Sequence, residues 1–413
     1  MALPNPKHLL NTSWTLHRLS PLHHGKEFQT LLDPVALKAY SERLRDLLAG
    51  DVLRGVQIGQ NIAPSDDALA KAGALRACRW LTIPTWSYWN ESESASAEQE
   101  DSLLEELEDP DRLFQQQQQD PIAAENALGI LVVLDYENVT YKAALLAGPD
   151  GYSYHDEDVG RKEKGKKGKR GESTYLPLLM TRLPNSLRQT FISFLSTNFD
   201  TYCSLLRLPS NFLCATLEAY IAELISLGDD LQSSTTTSRT ILQDVMKEMQ
   251  LTLSFSPSIA PALRSMDVNL PRESLASFVI DVSKSKSSRT KKLVQDEDQP
   301  STPFLVSLSS YLDKHLAMKL NLQDLAHRES QANANEHVRL TKVACGAFVL
   351  GGEGRAKLIA NPGRRGAASA DDSVFDDDPD RRRDRLVLRA SESLLRTLIR
   401  RAVGQVGVGE RKT

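Results

Sequence analysis

Cysteine is scarce in this chain of 413 residues. Only four occur, Cys78, Cys203, Cys214 and Cys345, and no two of them form a Cys-x-x-Cys pair. A disulfide framework or a cysteine-ligated zinc site calls for closer spacing, so buried free thiols are the expected state. Long apolar runs are missing too: no stretch approaches the ~18 apolar residues that a bilayer span requires. The N-terminus lacks the charged, apolar and small-residue order of a secretory signal. These absences describe an intracellular, soluble, reduced protein with no membrane partner. Neither sign of charge dominates, with 50 Lys and Arg against 54 Asp and Glu, a net charge of -4. The balance points to no partner by itself; the local blocks do, acidic near residues 91–111 and basic near 161–170.

Catalytic signatures are equally sparse. There is no Gly-x-Ser-x-Gly elbow and no His-Glu-x-x-His. The glycine cluster Gly351-Gly352-Glu353-Gly354-Arg355 lacks the lysine, the hydroxyl and the following helix of a phosphate loop, and reads as a hairpin turn. His23 and His24 are adjacent and point to different sides of an extended chain. His315, His327 and His337 have no cysteine pair near them, so no metal ligand set emerges. His17 sits inside a strand and reads as a packing or interface residue. Carboxylates abound, but they cluster in segments of disordered composition. The expectation is a non-enzymatic protein without cofactor or metal.

What is present is a 40% apolar chain, below the usual 45–50%, interrupted by polar insertions. Strand patterns appear at Ser13–Leu19, Val52–Ile58, Leu75–Trp89, Ala127–Tyr136, Val139–Leu146, Tyr175–Thr181, Thr201–Leu208, Leu251–Phe255 and Met266–Leu270. Val338–Ile359 reads as a hairpin turning at Gly351–Gly354. Helical patterns lie between them. The first runs from Asp33-Pro34 to Asp46, with Asp33 as N-cap and Leu37, Tyr40, Leu44 and Leu47 as its stripe. Others cover Pro184–Thr197, Ser210–Leu227, Arg239–Met249, Pro303–Lys319 and Ala390–Val403. Strands outnumber what a βαβ repeat needs, and several join through short turns. The fold class is therefore α+β, with largely antiparallel sheets covered by helices in two lobes.

The domain organisation follows from composition. An N-terminal α+β domain spans 1–232, with disordered insertions at about 90–120 and 157–173. A C-terminal α+β domain spans 233–413. It carries a hairpin at 342–359, a C-terminal helix, and insertions at about 284–302 and 361–384. Such insertions bury too little apolar surface to offset their ordering entropy.

Two short segments carry a family resemblance. Near the start stands Trp14-Thr15-Leu16-His17-Arg18-Leu19-Ser20-Pro21-Leu22, and near the end Cys345-Gly346-Ala347-Phe348-Val349-Leu350-Gly351. Together with the Leu75–Trp89 region, they resemble the fungal inner-kinetochore subunits of the centromere protein L (CENP-L) family. The resemblance covers under a fifth of the chain. It implies a nuclear, non-enzymatic subunit of the constitutive centromere-associated network. It further implies pairing with a CENP-N-like subunit, contact with other inner-kinetochore proteins, and a link from centromeric chromatin to the kinetochore in chromosome segregation. Sheet edges and the C-terminal region would support dimerisation, with homodimer and heterodimer both left open.

Two candidate surfaces remain. If the Val343–Leu350 strand lies at a sheet edge, Cys345, Phe348 and Leu350 are candidate partner-interface residues; the other reading makes this hairpin central core. Arg161, Lys162, Lys164, Lys166, Lys167, Lys169 and Arg170 form a basic loop. It reads as a solvated segment, as a contact for an import receptor, or as a weak non-specific DNA contact. Arg381–Arg385, Arg396, Arg400 and Arg401 could extend such a surface, which makes a nucleic-acid-binding module the alternative function. No aromatic residues interleave with the basic clusters, so base stacking is not indicated.

Overall fold

The computed structural model describes residues 9–25, 28, 30–53, 69, 71–84, 127–148, 173–230, 242–255, 263–275, 278, 303–316, 318, 338–359 and 379–404. The insertions 90–120 and 284–302, the basic loop 161–170, Trp86 and Trp89 lie outside these residues. The architecture is α+β, and the strand pairings within each unit are antiparallel. The chain divides into two compact units. One holds residues 14–206 with the chain end from Leu398; the other holds 207–397 with residues 10–13. The main passage thus falls before the helix at 210–230, whereas composition suggests a boundary after residue 232.

The first unit begins with β1 (Ser13–Leu19), β2 (Leu22–His23) and α1 (Pro34–Leu53). Next come β3 (Leu75–Pro84), β4 (Ala127–Tyr136), β5 (Thr140–Leu146), β6 (Ser173–Thr174) and β7 (Leu178–Arg182). It closes with α2 (Asn185–Phe199) and β8 (Cys203–Leu205). Its sheet runs β1-β7-β5-β4-β3, β8 pairs with β1, and β2 and β6 form a small separate ribbon. The helices cover one face of the sheet. There Tyr40 of α1 meets Phe199 of α2 at 4.6 Å between ring centroids and Trp80 of β3 at 6.2 Å. Ile130, Val132 and Leu145 complete that core. Aromatic pairs of this kind contribute about 0.5–1.5 kcal/mol beyond their buried area.

The start of α1 follows its sequence. Asp33 Oδ1 accepts the Val35 amide at 3.0 Å, and Pro34 occupies the first turn, where its missing N–H leaves no bond unmade. The helix runs further than its predicted end at Asp46. Residues 51–53 are helical, so the Val52–Ile58 strand is corrected at its start, and 54–58 lie outside the described residues. Leu44 and Leu48 are buried at the i, i+4 spacing of a helix face, and continuation of that helix overrides the strand preference of a lone valine. Leu48 is buried and Leu47 is 39% exposed, which moves the predicted stripe by one residue.

The second unit contains α3 (Ser210–Asp230), β9 (Met249–Ser254), β10 (Ser265–Leu270) and α4 (Pro303–Leu316). It continues with β11 (Arg339–Ala344), β12 (Phe348–Gly351), β13 (Arg355–Leu358) and most of α5 (Pro379–Val403). Its strand order is β10-β9-β11-β12-β13. The predicted hairpin at 342–359 is a three-stranded meander, because the chain reverses once at Cys345–Ala347 and again at Gly351–Gly354. Gly346 allows the first reversal: a Cβ there would lie 2.5 Å from the Val245 carbonyl oxygen. Two insertion boundaries also shift, since Ser173 is in β6 and residues 379–384 are helical. The strand at Thr201–Leu208 contracts to Cys203–Leu205, and the helix at Arg239–Met249 contracts to 242–246 among the described residues.

Candidate functional site

The predicted interface residues sit in the interior of the second unit. Phe348 is 0% exposed, Leu350 1% and Cys345 8%. Phe348 and Leu350 lie on β12, which is flanked by β11 and β13, and Cys345 lies in the turn that leaves β11, which is flanked by β12 and β9. The Phe348 ring meets Tyr220 of α3 edge-on at 4.9 Å. A contact through these side chains needs an open strand side or an open face, and both sides of the strand are occupied. Their placement matches the core reading of the hairpin. The basic loop 161–170 lies outside the described residues, as do the side chains of Arg381–Arg385.

The glycine cluster makes the turn between β12 and β13. Gly354 takes a φ of 76°, and its amide donates to the Gly351 carbonyl at 3.0 Å. The Gly352 amide donates to Thr341 at 2.7 Å, and the Leu208 amide donates to the Gly352 carbonyl at 2.9 Å. These amides are engaged within the sheet, and a strand follows rather than a helix, so the phosphate-loop geometry does not form.

Burial favours the neutral form of the buried histidines and thiols. Burial, with a smaller effect from Arg188, lowers His17 to about 4, and its Nε2 lies 3.3 Å from Thr181 Oγ1. Burial also lowers His24, which bonds Thr174 at 3.0 Å. Burial pushes Cys78 and Cys214 up to about 12 and Cys203 and Cys345 up to about 11. A thiol so shifted is protonated near neutral pH and is a poor nucleophile. Among the described residues, no group of three or more His, Cys, Asp or Glu is placed to hold a metal ion. No helix among them is long and apolar enough to cross a membrane. An open polar groove in the second unit, lined by Asp244, Lys247, Glu248, Arg272 and Glu273, is spanned by the Arg272–Asp244 ion pair.

Strand edges are the notable unpaired features. Among the described residues, β3 has β4 as its one strand neighbour and β10 has β9. Along β10, Val268 and Leu270 are buried, while Ser265, Asp267 and Asn269 are exposed. Asp267 accepts from Thr252 at 2.6 Å and from Gln250 at 3.0 Å, which holds the strand to β9 through side chains as well. Sequence reading found β10 as a strand but not as an edge, because strand order is a non-local property.

Helices cover the antiparallel strands of each unit, and among the described residues β3 and β10 each leave one strand side open. No curated protein matches the chain. A family model described as centromere protein L matches residues 8–403, nearly the whole length. The chain therefore belongs to the centromere protein L family.

Proposed function

We propose that this centromere and kinetochore protein acts in chromosome segregation by pairing with a CENP-N-like subunit, and that the open side of β10 receives a strand of that partner. The family is a structural kinetochore family, and the match across residues 8–403 is the observation that carries the reading. Location at the centromere, in the nucleus, follows from the same membership. Strand addition suits a chain of this kind, since an unpaired edge offers a row of backbone donors and acceptors while alternate side chains supply selectivity. The test is co-expression with a CENP-N-like subunit, followed by hydrogen exchange on the purified pair. Slowed exchange of the β10 amides in the complex supports the reading. Failure to co-purify, or unchanged β10 exchange, removes it.

A second reading, contact with DNA, draws on α5. Arg389 and Arg396 are both exposed and stand about two turns apart on the helix. Arg396 is ion-paired with Glu392, which lessens what it offers to a phosphate. A steep fall of DNA affinity with salt that flattens on substituting Arg389 would favour this reading.

A further inference from the structure

Three cations share one row of the first unit's sheet. Arg79 of β3 stands opposite Val133 of β4, Val133 opposite Lys142 of β5, and Lys142 opposite Arg182 of β7. Residues directly opposite across antiparallel strands project from the same face, about 5 Å apart. Arg79 is ion-paired with Asp135, which also accepts a hydrogen bond from Thr140 at 2.9 Å. Lys142 and Arg182 differ from it: among the described residues neither has a carboxylate at ion-pair distance. Asp135 acts on Lys142 only from further off.

A like-charged pair directly opposed across strands weakens a sheet. Here the pair interrupts strands that are otherwise apolar, with Ala143–Leu146 and Leu178–Met180 all buried. The Lys142 ammonium is pushed below its ordinary value, first by burial and then by Arg182. Nothing among the described residues uses the two charges internally. The half-burial of Lys142 and its repulsion by the exposed Arg182 suit a site that becomes favourable when an external anion sits between them.

We propose that Lys142 and Arg182 form a docking point for a carboxylate of an acidic protein segment. The surroundings favour a protein partner over nucleic acid. The next row of the same face is Leu16, Met180, Ala144 and Leu131, all buried and apolar. The cations therefore do not continue as a track for successive phosphates, and Asp135, one row away on β4 and paired with Arg79, would repel a polyanion lying along the row. A single carboxylate held between the two cations meets both conditions. This docking point is separate from strand addition at β10 and stands whether or not that pairing occurs.

The experiment is fluorescence anisotropy of the full-length protein with a labelled glutamate decapeptide at low salt, and in parallel with a short DNA duplex. The variants are Lys142→Met, Arg182→Gln and, as a control for unspecific attraction at an exposed cation on α1, Lys38→Gln. The expected result is a loss of about tenfold in peptide affinity for each of the first two, affinity within about twofold of the parent for the control, and unchanged or raised thermal stability in K142M. Raised stability with lost affinity separates a ligand site from a structural lysine. Peptide affinity unaltered in K142M and R182Q, or no peptide binding by the parent, overturns the proposal. The same loss seen for the duplex, with weaker binding of the peptide, overturns the choice of a protein partner. Arg182 is exposed, so R182Q retains the fold even where K142M does not.

Discussion

Glu218 of α3 caps α4 from a distance in sequence: its carboxylate oxygens accept the Phe304 amide at 3.2 Å and the Leu305 amide at 2.9 Å. These are first-turn donors that have no partner within their own helix. The carboxylate also lies at the positive end of the helix dipole. Replacing it by alanine leaves two buried amides unmet and costs about 2–3 kcal/mol, whereas Glu218→Gln retains one acceptor and costs less. Chemical denaturation of the two variants checks the order. Burial raises the Glu218 pKa above 4.5, so the native state holds its proton more tightly than the unfolded chain. The stability linked to that proton is fully present below about pH 4.5 and is lost as pH rises through the raised value.

His17 gives a pH dependence of the opposite sign. Its folded value is about 4 against 6.5 when unfolded, so the unfolded chain binds the extra proton first. Stability is unaffected above about pH 6.5, falls between there and pH 4, and loses about 2 kcal/mol by pH 5. His17→Gln should flatten that portion of the stability profile. Urea titrations at pH 7 and 5 on both proteins measure it, and an equal acid loss in the variant contradicts the assignment.

Two glycines respond oppositely to alanine. A Cβ on Gly129 of β4 would meet the Leu145 carbonyl oxygen at 1.9 Å, while one on Gly50 of α1 meets nothing within 4 Å. Gly129→Ala is expected to cost about 3 kcal/mol by forcing β4 and β5 apart. Gly50→Ala is expected to stabilise by about 0.5–1 kcal/mol, because alanine is the better helix former and restricts the unfolded chain. Thermal melts of the two single variants are sufficient to read both signs.

The thiols should be quiet. All four are free and all four are raised by burial. Ellman's reagent at neutral pH is expected to label the native protein slowly, Cys78 and Cys203 ahead of Cys214 and Cys345, and to label all four rapidly after denaturation. A fast-reacting thiol in the native protein would contradict the buried, protonated state.

Some of this was legible from residue order alone. The period-two run at Ser13–Leu19, the apolar block of β4, and Asp33-Pro34 before an apolar stripe each carry their structure in neighbouring residues. Local pattern suffices there because hydrogen bonding and burial repeat at short range. The Gly351–Gly354 turn was legible for the same reason. The resemblance of the two end segments pointed to the family that the match over residues 8–403 shows.

Other features depend on what meets what. Cys345, Phe348 and Leu350 look alike whether a strand is central or at an edge; β12 pairs with both β11 and β13, and all three side chains are buried. Lys142 and Arg182 are single cations in separate apolar strands, and the register of β5 on β7 sets them face to face. Glu218 reads as one more polar position on a helix until the first turn of α4 arrives beside it. Residue order alone thus carries the class of elements, the lack of recognisable catalytic motifs and the family resemblance. Strand order, register and helix contacts were decided by tertiary structure, because they depend on residues far apart in the chain whose burial is settled only when the sheets and helices pack.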